Sequence, residues 1–384
     1  MRALYSLILA TCAVASAQSP RAILGWGLET SSADGPSRAM GEAGAALRTD
    51  RSWDPRLEAR SAFATLTAFE VQVAPGLVTI DDDKTQNTVS TAVLPRVSLS
   101  IPMGRFGHVG LGYWQRYQRA MDWMSSDSMV SLSGEGGSFQ GDLGYAYAIP
   151  WARGLSLGAT YHRVLGTDRI LRMETFQASD EASSLKLRDT VRHKFWGDYW
   201  TASAYFTRSN LDVGVWMDFA GDVEVTSSRG ATNHEFPAPT TTSVTPAQSI
   251  GTALGWRFHG RHALVGSYQT TSWEGIESGA SRQHQGGIGW QREGSADRYD
   301  DYWRRLSFRA GAMGGFGGPG EVVTIAGTTG MGMPLGNSGT LDLSLQVGQN
   351  DVDNGGPALK ETFVRLYVSV TGASSWGKSF RTRR

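Results

Sequence analysis

The sequence predicts an all-β protein: a closed, antiparallel transmembrane β-barrel of about fourteen strands, with an N-terminal segment without strand pattern ahead of it. Three observations predict this. Apolar and polar residues alternate along one segment after another. From Thr340 to Gly348, Leu341, Leu343, Leu345 and Val347 share one side of an extended chain, and Asp342, Ser344, Gln346 and Gly348 share the other. That period of two is the mark of a strand with one apolar and one polar face. The connections between such segments alternate between short and long, and a secretion signal opens the chain. Within lipid no water satisfies backbone N–H and C=O groups, so a sheet there must close on itself with its apolar face outward.

The signal comes first. Met1-Arg2 supplies a positive charge, residues 3–15 are largely apolar, and Ala15-Ser16-Ala17 is a small-x-small cleavage site. Residues 1–17 are therefore expected to be removed. Thr11 and the short run ahead of Cys12 argue against a lipid-anchored cysteine. Cys12 is the one cysteine of the chain, and its loss leaves neither a disulfide framework nor thiolate chemistry. Lys+Arg and Asp+Glu are 36 each, a balance that gives no basis for nucleic-acid binding. Mean hydropathy is −0.27, and no later run is long enough for a spanning helix. The 48 glycines and the 13 Trp, 12 Tyr and 14 Phe suit a barrel with small inward residues and aromatic girdles.

Residues 18–60 show no strand pattern. The stretch 35–47 is small and partly helical in propensity. It precedes the first strand, so it starts on the periplasmic side. It either folds back into the barrel as a plug or hangs below as a tail. Strands are expected from residue 61 to 372. The first two are 62–73 and 93–101, the latter with Val97, Leu99 and Ile101 on one face. Val109, Leu111 and Tyr113 mark the third against Gly110 and Gly112. Leu143, Tyr145 and Tyr147 mark the fourth, and Leu155, Leu157, Ala159 and Tyr161 the fifth. Then come 199–207, 211–219, 250–258, 262–272, 283–292, 305–313, 322–331, 340–348 and 362–371. Residues 373–384 form a basic periplasmic tail.

The short connections are 102–106, 150–154, 208–210, 259–261 and 334–339. The long ones are 75–90, 118–138, 166–198, 220–249 and 350–360. Outer-membrane barrels have short periplasmic turns and longer external loops, and a soluble sandwich has no reason to segregate lengths this way. The connection 293–302 is long for a periplasmic turn. Trp151, Trp200, Phe219, Trp256, Phe258, Trp273, Trp290 and Trp303 stand at strand ends, where aromatic rings favour the head-group level.

Arg96, Asp142, Asp212, Asp218, Arg309, Asp342 and Arg365 fall on inward faces. They line a conduit, or they pair with one another or with the plug to satisfy a polar interior. Met121, Trp123, Met124 and Met129 make the 118–138 loop apolar, either as a docking patch or packed on itself. The acidic stretches 81–83 and 351–355 hold oxygen ligands without a complete calcium-loop signature. The seven histidines show no metal-ligand spacing, and no Gly-x-Ser-x-Gly elbow is present. No cofactor, no metal and no enzymatic activity are expected.

At both ends the chain resembles a known family. Arg38-Ala39-Met40-Gly41-Glu42-Ala43-Gly44-Ala45, then Asp50 and Trp53-Asp54-Pro55, are similar to the opening of the FadL-type outer-membrane transporters, which include a PorV-like branch. That opening reads Arg-Ala-Met-Gly-x-Gly-Gly-Ala, then an acidic residue and an aromatic-Asn-Pro step. Pro334-Leu335-Gly336 and Lys360-Glu361-Thr362-Phe363-Val364-Arg365-Leu366 resemble the family's end. Asp54 stands in place of the usual Asn, Arg56 in place of a small residue, and the tail runs on to Arg384. The resemblance implies a plug containing Arg38, Met40, Gly41 and Gly44 inside a fourteen-stranded barrel. It also implies passage of small hydrophobic compounds across the outer-membrane bilayer. The alternative it implies is a PorV-like shuttle or scaffold, whose loops 166–198 and 220–249 hold a protein partner.

Overall fold

The computed structural model describes residues 28–49, 51–81, 86–118, 121–124, 130–177, 184–219, 221–231, 238–274, 281–295, 297, 299–318, 321–336, 338–352 and 359–375. Fourteen strands form one closed antiparallel barrel. In chain order they are β1 (Thr67–Asp81), β2 (Gln86–Pro102), β3 (His108–Gln118), β4 (Val130–Ala148), β5 (Leu155–Gln177), β6 (Ser184–Arg208) and β7 (Leu211–Phe219). The second half comprises β8 (Gln248–Phe258), β9 (His262–Ser272), β10 (Gln283–Arg292), β11 (Ser307–Phe316), β12 (Val323–Leu335), β13 (Gly339–Val352) and β14 (Leu359–Ser374). Each strand pairs with its sequence neighbours. The seam closes where β14 pairs with β1, from Lys360 opposite Asp81 to Ser374 opposite Thr67. Among the described residues no helix is long and apolar enough to cross a membrane; the crossing elements are strands.

The alternation read in the sequence sorts residues between the two faces. On β8, Ile250, Leu254 and Trp256 are exposed and Gly251, Ala253 and Gly255 are buried. Outward aromatics gather at two levels. At the short-turn end, taken as periplasmic, Trp256, Phe258, His262 and Trp290 form a continuous run with centroids 5.2–5.7 Å apart. Toward the other end, Tyr113 stacks on Phe139 at 5.6 Å and Tyr161 meets Trp200 at 5.1 Å. Two aromatic levels with aliphatic side chains between them suit a surface in hydrocarbon.

Several expected boundaries move. The first strand starts at Thr67, because Glu58–Phe63 forms a 3-10 turn. The span 166–198, expected as a loop, is mostly a paired hairpin in which β5 and β6 stay in register from Leu155–Phe206 to Gln177–Ser184. Above the bilayer the outward face meets water, so outward positions such as Arg192 and Lys194 turn polar while the backbone ladder continues and Phe195, Val223 and Val225 stay buried on the inward face. The short strands Val223–Ala231 and Thr240–Val244 extend the wall beside β6 for the same reason. Trp273 is not in a girdle. It is buried, and its indole N–H donates to Gln283 Oε1 at 2.9 Å. Residues 1–17, Asp82, Asp83, Met129, 353–355 and 376–384 lie outside the described residues.

Leu343 lies near the middle of β13 on the outward face. Leu343→Arg should lower unfolding stability in lipid vesicles by roughly 2–4 kcal/mol, measured by urea titration. An unchanged midpoint would remove that face from hydrocarbon.

Candidate functional site

The N-terminal segment lies within the barrel. Leu28–Glu29 pairs with β3 at Gln118 and Tyr117, toward the external end. The chain then runs to the 3-10 turn Glu58–Phe63 ahead of β1. Its residues are almost all buried: Ala33, Ala39, Ala43, Ala45, Ala46 and Leu57 at 0 %, Met40 and Trp53 at 1 %. A single helical turn, Gly35–Arg38, opens with Asp34, whose Oδ1 accepts the Ser37 N–H at 2.8 Å, and with Pro36 in its first turn.

Inward side chains from six strands, Arg96 of β2 among them, satisfy this segment's backbone. Glu70 on β1 accepts the Gly35 N–H at 3.0 Å. Ser344 on β13 donates to Gly35 O at 3.0 Å. Thr328 on β12 accepts the Gly41 N–H at 2.8 Å and donates to Ala39 O at 3.0 Å. On β5, Thr160 donates to Pro55 O at 2.8 Å and Ser156 to Ala59 O at 2.6 Å. On β6, Ser203 accepts the Ala59 N–H at 3.0 Å. Gly41 has φ +64°, a conformation that glycine adopts without strain. Trp53 lies on β3 over Gly110, where an added Cβ would come within 2.1 Å of the indole. Arg60, which the sequence pattern did not single out, is 2 % exposed. Its guanidinium donates to the carbonyls of Ala45 at 3.0 Å and Leu47 at 3.2 Å and lies 3.5 Å from Asp34. No periodic pattern marks a cation that serves carbonyls of an irregular segment.

The seven inward charges do not form one cluster. Arg309 and Asp342 meet at 2.5 Å. Arg96 donates to Ser32 O and Trp53 O in the segment and stands 3.8 Å from Glu70. Asp142 accepts the Trp114 indole N–H at 2.8 Å, lies 2.6 Å from His162 Nδ1 and accepts from Gln140 at 2.7 Å. Asp212 accepts from Thr207 at 2.6 Å and pairs with Arg257 at 2.6 Å. Asp218 accepts from Thr201 at 2.6 Å and from Ser249. Arg365 lies over the Phe363 ring at 4.6 Å. In the segment, Arg38 pairs with Glu42 at 2.5 Å and covers the Tyr367 ring at 4.6 Å.

Nearer the external end the inward face changes character. Val78, Ile80, Ala326 and Phe363 form a buried apolar cluster, with Met313 packed against it. Tyr117, Ala247 and Trp273 form another, the two rings meeting edge-on at 6.1 Å. Below the segment a cavity of about 780 Å³ opens among Arg48, Arg51, Glu293, Arg305 and Asp342. The wall is irregular on one side. Pairing between β14 and β1 passes from Arg365–Gly76 to Val368–Val73, interrupting the ladder where Leu366 and Tyr367 face Ala74 and Pro75. The β1–β2 register shifts between Gln72 and Ala74, and the β3–β4 register between Gln115 and Tyr117. Proline has no N–H to give a ladder. Met121, Trp123 and Met124 lie on the short strand Met121–Met124, paired with β4. Among the described residues no three His, Cys, Asp or Glu side chains group as metal ligands.

No protein-family model matches the sequence, and no curated protein matches it. Solved structures do match. A FadL homologue from Pseudomonas aeruginosa superposes with a TM-score of 0.65 at 11% identity, covering 91% of this chain and 100% of that one. The toluene transporter TodX from Pseudomonas putida gives 0.61 at 12%, covering 91% and 99%. The monoaromatic hydrocarbon channel CymD gives 0.57 at 13%, covering 91% and 97%. The chain thus has the barrel fold of the FadL-type channels.

Gly110→Val should unseat Trp53, so trypsin should cleave the 48–60 region faster than in the wild type while the barrel stays folded. Unchanged cleavage would mean that the contact does not hold the segment. Burial pushes the Asp54 carboxyl up, but the Arg56 guanidinium, bidentate at 2.9 and 3.1 Å, outweighs it and brings the pKa to about 2. A lowered carboxyl adds stability above its unfolded value of 3.8, and that stability is lost as pH falls through about 2. The contribution is roughly 2 kcal/mol at about 1.4 kcal/mol per unit. Pepsin at stepped pH should therefore cut the Asp54→Asn segment at values where the wild type resists. Matching profiles would contradict this.

Proposed function

We propose that the protein is an outer-membrane channel for passive uptake of small hydrophobic compounds. One observation carries this reading: an inward-facing apolar patch, Val78, Ile80, Met313, Ala326 and Phe363, set toward the external end of the lumen beside the interrupted β14–β1 ladder. A channel for water-soluble solutes has no use for such a lining. An apolar compound entering from the external side gains about 25 cal/mol for each Å² removed from water. The names of the matching structures, a toluene transporter and a monoaromatic hydrocarbon channel, support the same class of ligand.

The N-terminal segment then acts as a plug. Arg38, Met40, Gly41 and Gly44 hold it in place, and the inward charges serve mainly to satisfy it and the polar floor. With the straight path obstructed, the interrupted ladder at Ala74–Pro75 and Leu366–Tyr367 offers an exit sideways. It lies within a few residues of Phe363 and has fewer hydrogen bonds to break. An apolar compound also gains by leaving into hydrocarbon rather than into periplasmic water. The matching proteins are channels and transporters rather than enzymes. The shuttle or scaffold alternative, with a protein held at the external hairpins, has no comparable lining behind it.

Phe363→Asp should cut toluene flux into proteoliposomes by about tenfold, the effect of losing about 1.4 kcal/mol of apolar binding. Folding is checked by the heat-shifted gel band. Unchanged flux in a folded variant would refute the apolar-patch route.

A further inference from the structure

The outward face of β6 carries a distinct order of side chains toward its external end: Trp200, Asp198, Trp196, Lys194, Arg192. Trp200 and Trp196 are each 51% exposed. Arg163 of β5 lies over the Trp196 ring at 3.8 Å and bonds Asp198 at 2.9 Å. These groups mark the head-group level. At about 3.3 Å per residue, Lys194 stands about 7 Å beyond Trp196 and Arg192 about 13 Å beyond it along the strand. The head-group layer on each side of a bilayer is itself about 5–8 Å thick.

There the wall holds a cleft of about 610 Å³, bordered by Arg169, Arg192, Lys194, Thr226 and Ser228 and also by Glu135, Asp168 and His193, whose charges are taken up in pairs. Arg169 pairs with Glu135 at 3.2 Å. Asp168 on the adjoining inward position is taken by His193 at 2.7 Å. Among the described residues no carboxylate lies within ion-pair distance of Arg192 or Lys194. Two exposed cations without an ion-pair partner among the described residues thus border a cleft with two hydroxyls, Lys194 at the depth where lipid head groups end and Arg192 one outward position above it. Solubility alone does not call for this, since water-facing cations need no cleft and no aromatic floor.

We propose that this cleft binds the phosphate of an anionic lipid in the external leaflet, with Arg192 and Lys194 as the charged contacts and Thr226 and Ser228 as hydroxyl donors. Basic clusters next to a membrane surface attract anionic lipid in this way. The inference rests on the membrane orientation of the barrel and is independent of what passes through the lumen.

The test is native mass spectrometry of the full barrel in non-ionic detergent, titrated with phosphatidic acid or phosphatidylcholine. The wild type should retain phosphatidic acid with about a tenfold preference, the effect of about 1.4 kcal/mol of charge attraction. Arg192→Gln with Lys194→Gln should abolish the preference. Arg105→Gln with Arg208→Gln, in two periplasmic turns, should leave it intact. Heat-shifted gel mobility confirms that each variant is folded. A preference that survives the first pair of substitutions would overturn the proposal. So would equal loss in the second pair, which would indicate general charge attraction. Displacement of the lipid by millimolar inorganic phosphate would also overturn it, by assigning the cleft to a free anion.

Discussion

The structure depends on one constraint: backbone N–H and C=O groups facing hydrocarbon must find partners within the protein. The β14–β1 seam meets it by leaving no edge. Once the sheet is closed, outward positions need only be apolar, and inward positions are free to be polar. That freedom creates a second requirement. Buried Ser, Thr, Glu and Arg side chains inside the lumen need partners of their own. The N-terminal segment supplies them. Its carbonyls and amides take up Glu70, Arg96, Ser156, Thr160, Ser203, Thr328 and Ser344. Wall and segment thus satisfy each other, and the segment's place follows from the wall's inward chemistry.

The lumen consequently has two parts. Around the segment it is mixed, with charge pairs such as Arg309–Asp342 beside apolar contacts such as Leu57 with Tyr205 and Trp216. Toward the external end it turns apolar at Val78, Ile80 and Phe363. The wall is least regular beside that apolar part, at Pro75 and at the register shifts of β1 and β3. Apolar surface inside a barrel is costly to leave in water. Its position next to a weakened ladder links the packing of the upper lumen to the proposed sideways exit.

Much of the fold was legible in the sequence because each strand has lipid on its outward face within the bilayer. There the period of two is enforced by lipid on one side, and Leu341 to Val347 display it openly. Outside the bilayer the enforcing lipid is gone, so the hairpin of β5 and β6 read as a loop although its ladder is continuous. The inward charges were legible by parity, but their partners were not. Parity places Asp142 in the lumen and says nothing of His162 at 2.6 Å. Arg60 and Trp273 were missed or misplaced for a related reason, since their surroundings come from segments distant in sequence. The apolar upper lumen escaped notice because the first strand was ended at residue 73, short of Val78 and Ile80.

The central claim is that hydrocarbon lies outside this wall and the N-terminal segment within it. Single nitroxide labels placed in turn at residues 340–348 test it most directly, by collision with lipid-soluble oxygen and with a water-soluble nickel chelate. The account predicts that oxygen accessibility rises at 341, 343, 345 and 347 and falls at 342, 344 and 346, with a two-residue period and little nickel contact at the odd-numbered set. Nickel accessibility along the odd-numbered face, or no alternation at all, would contradict it.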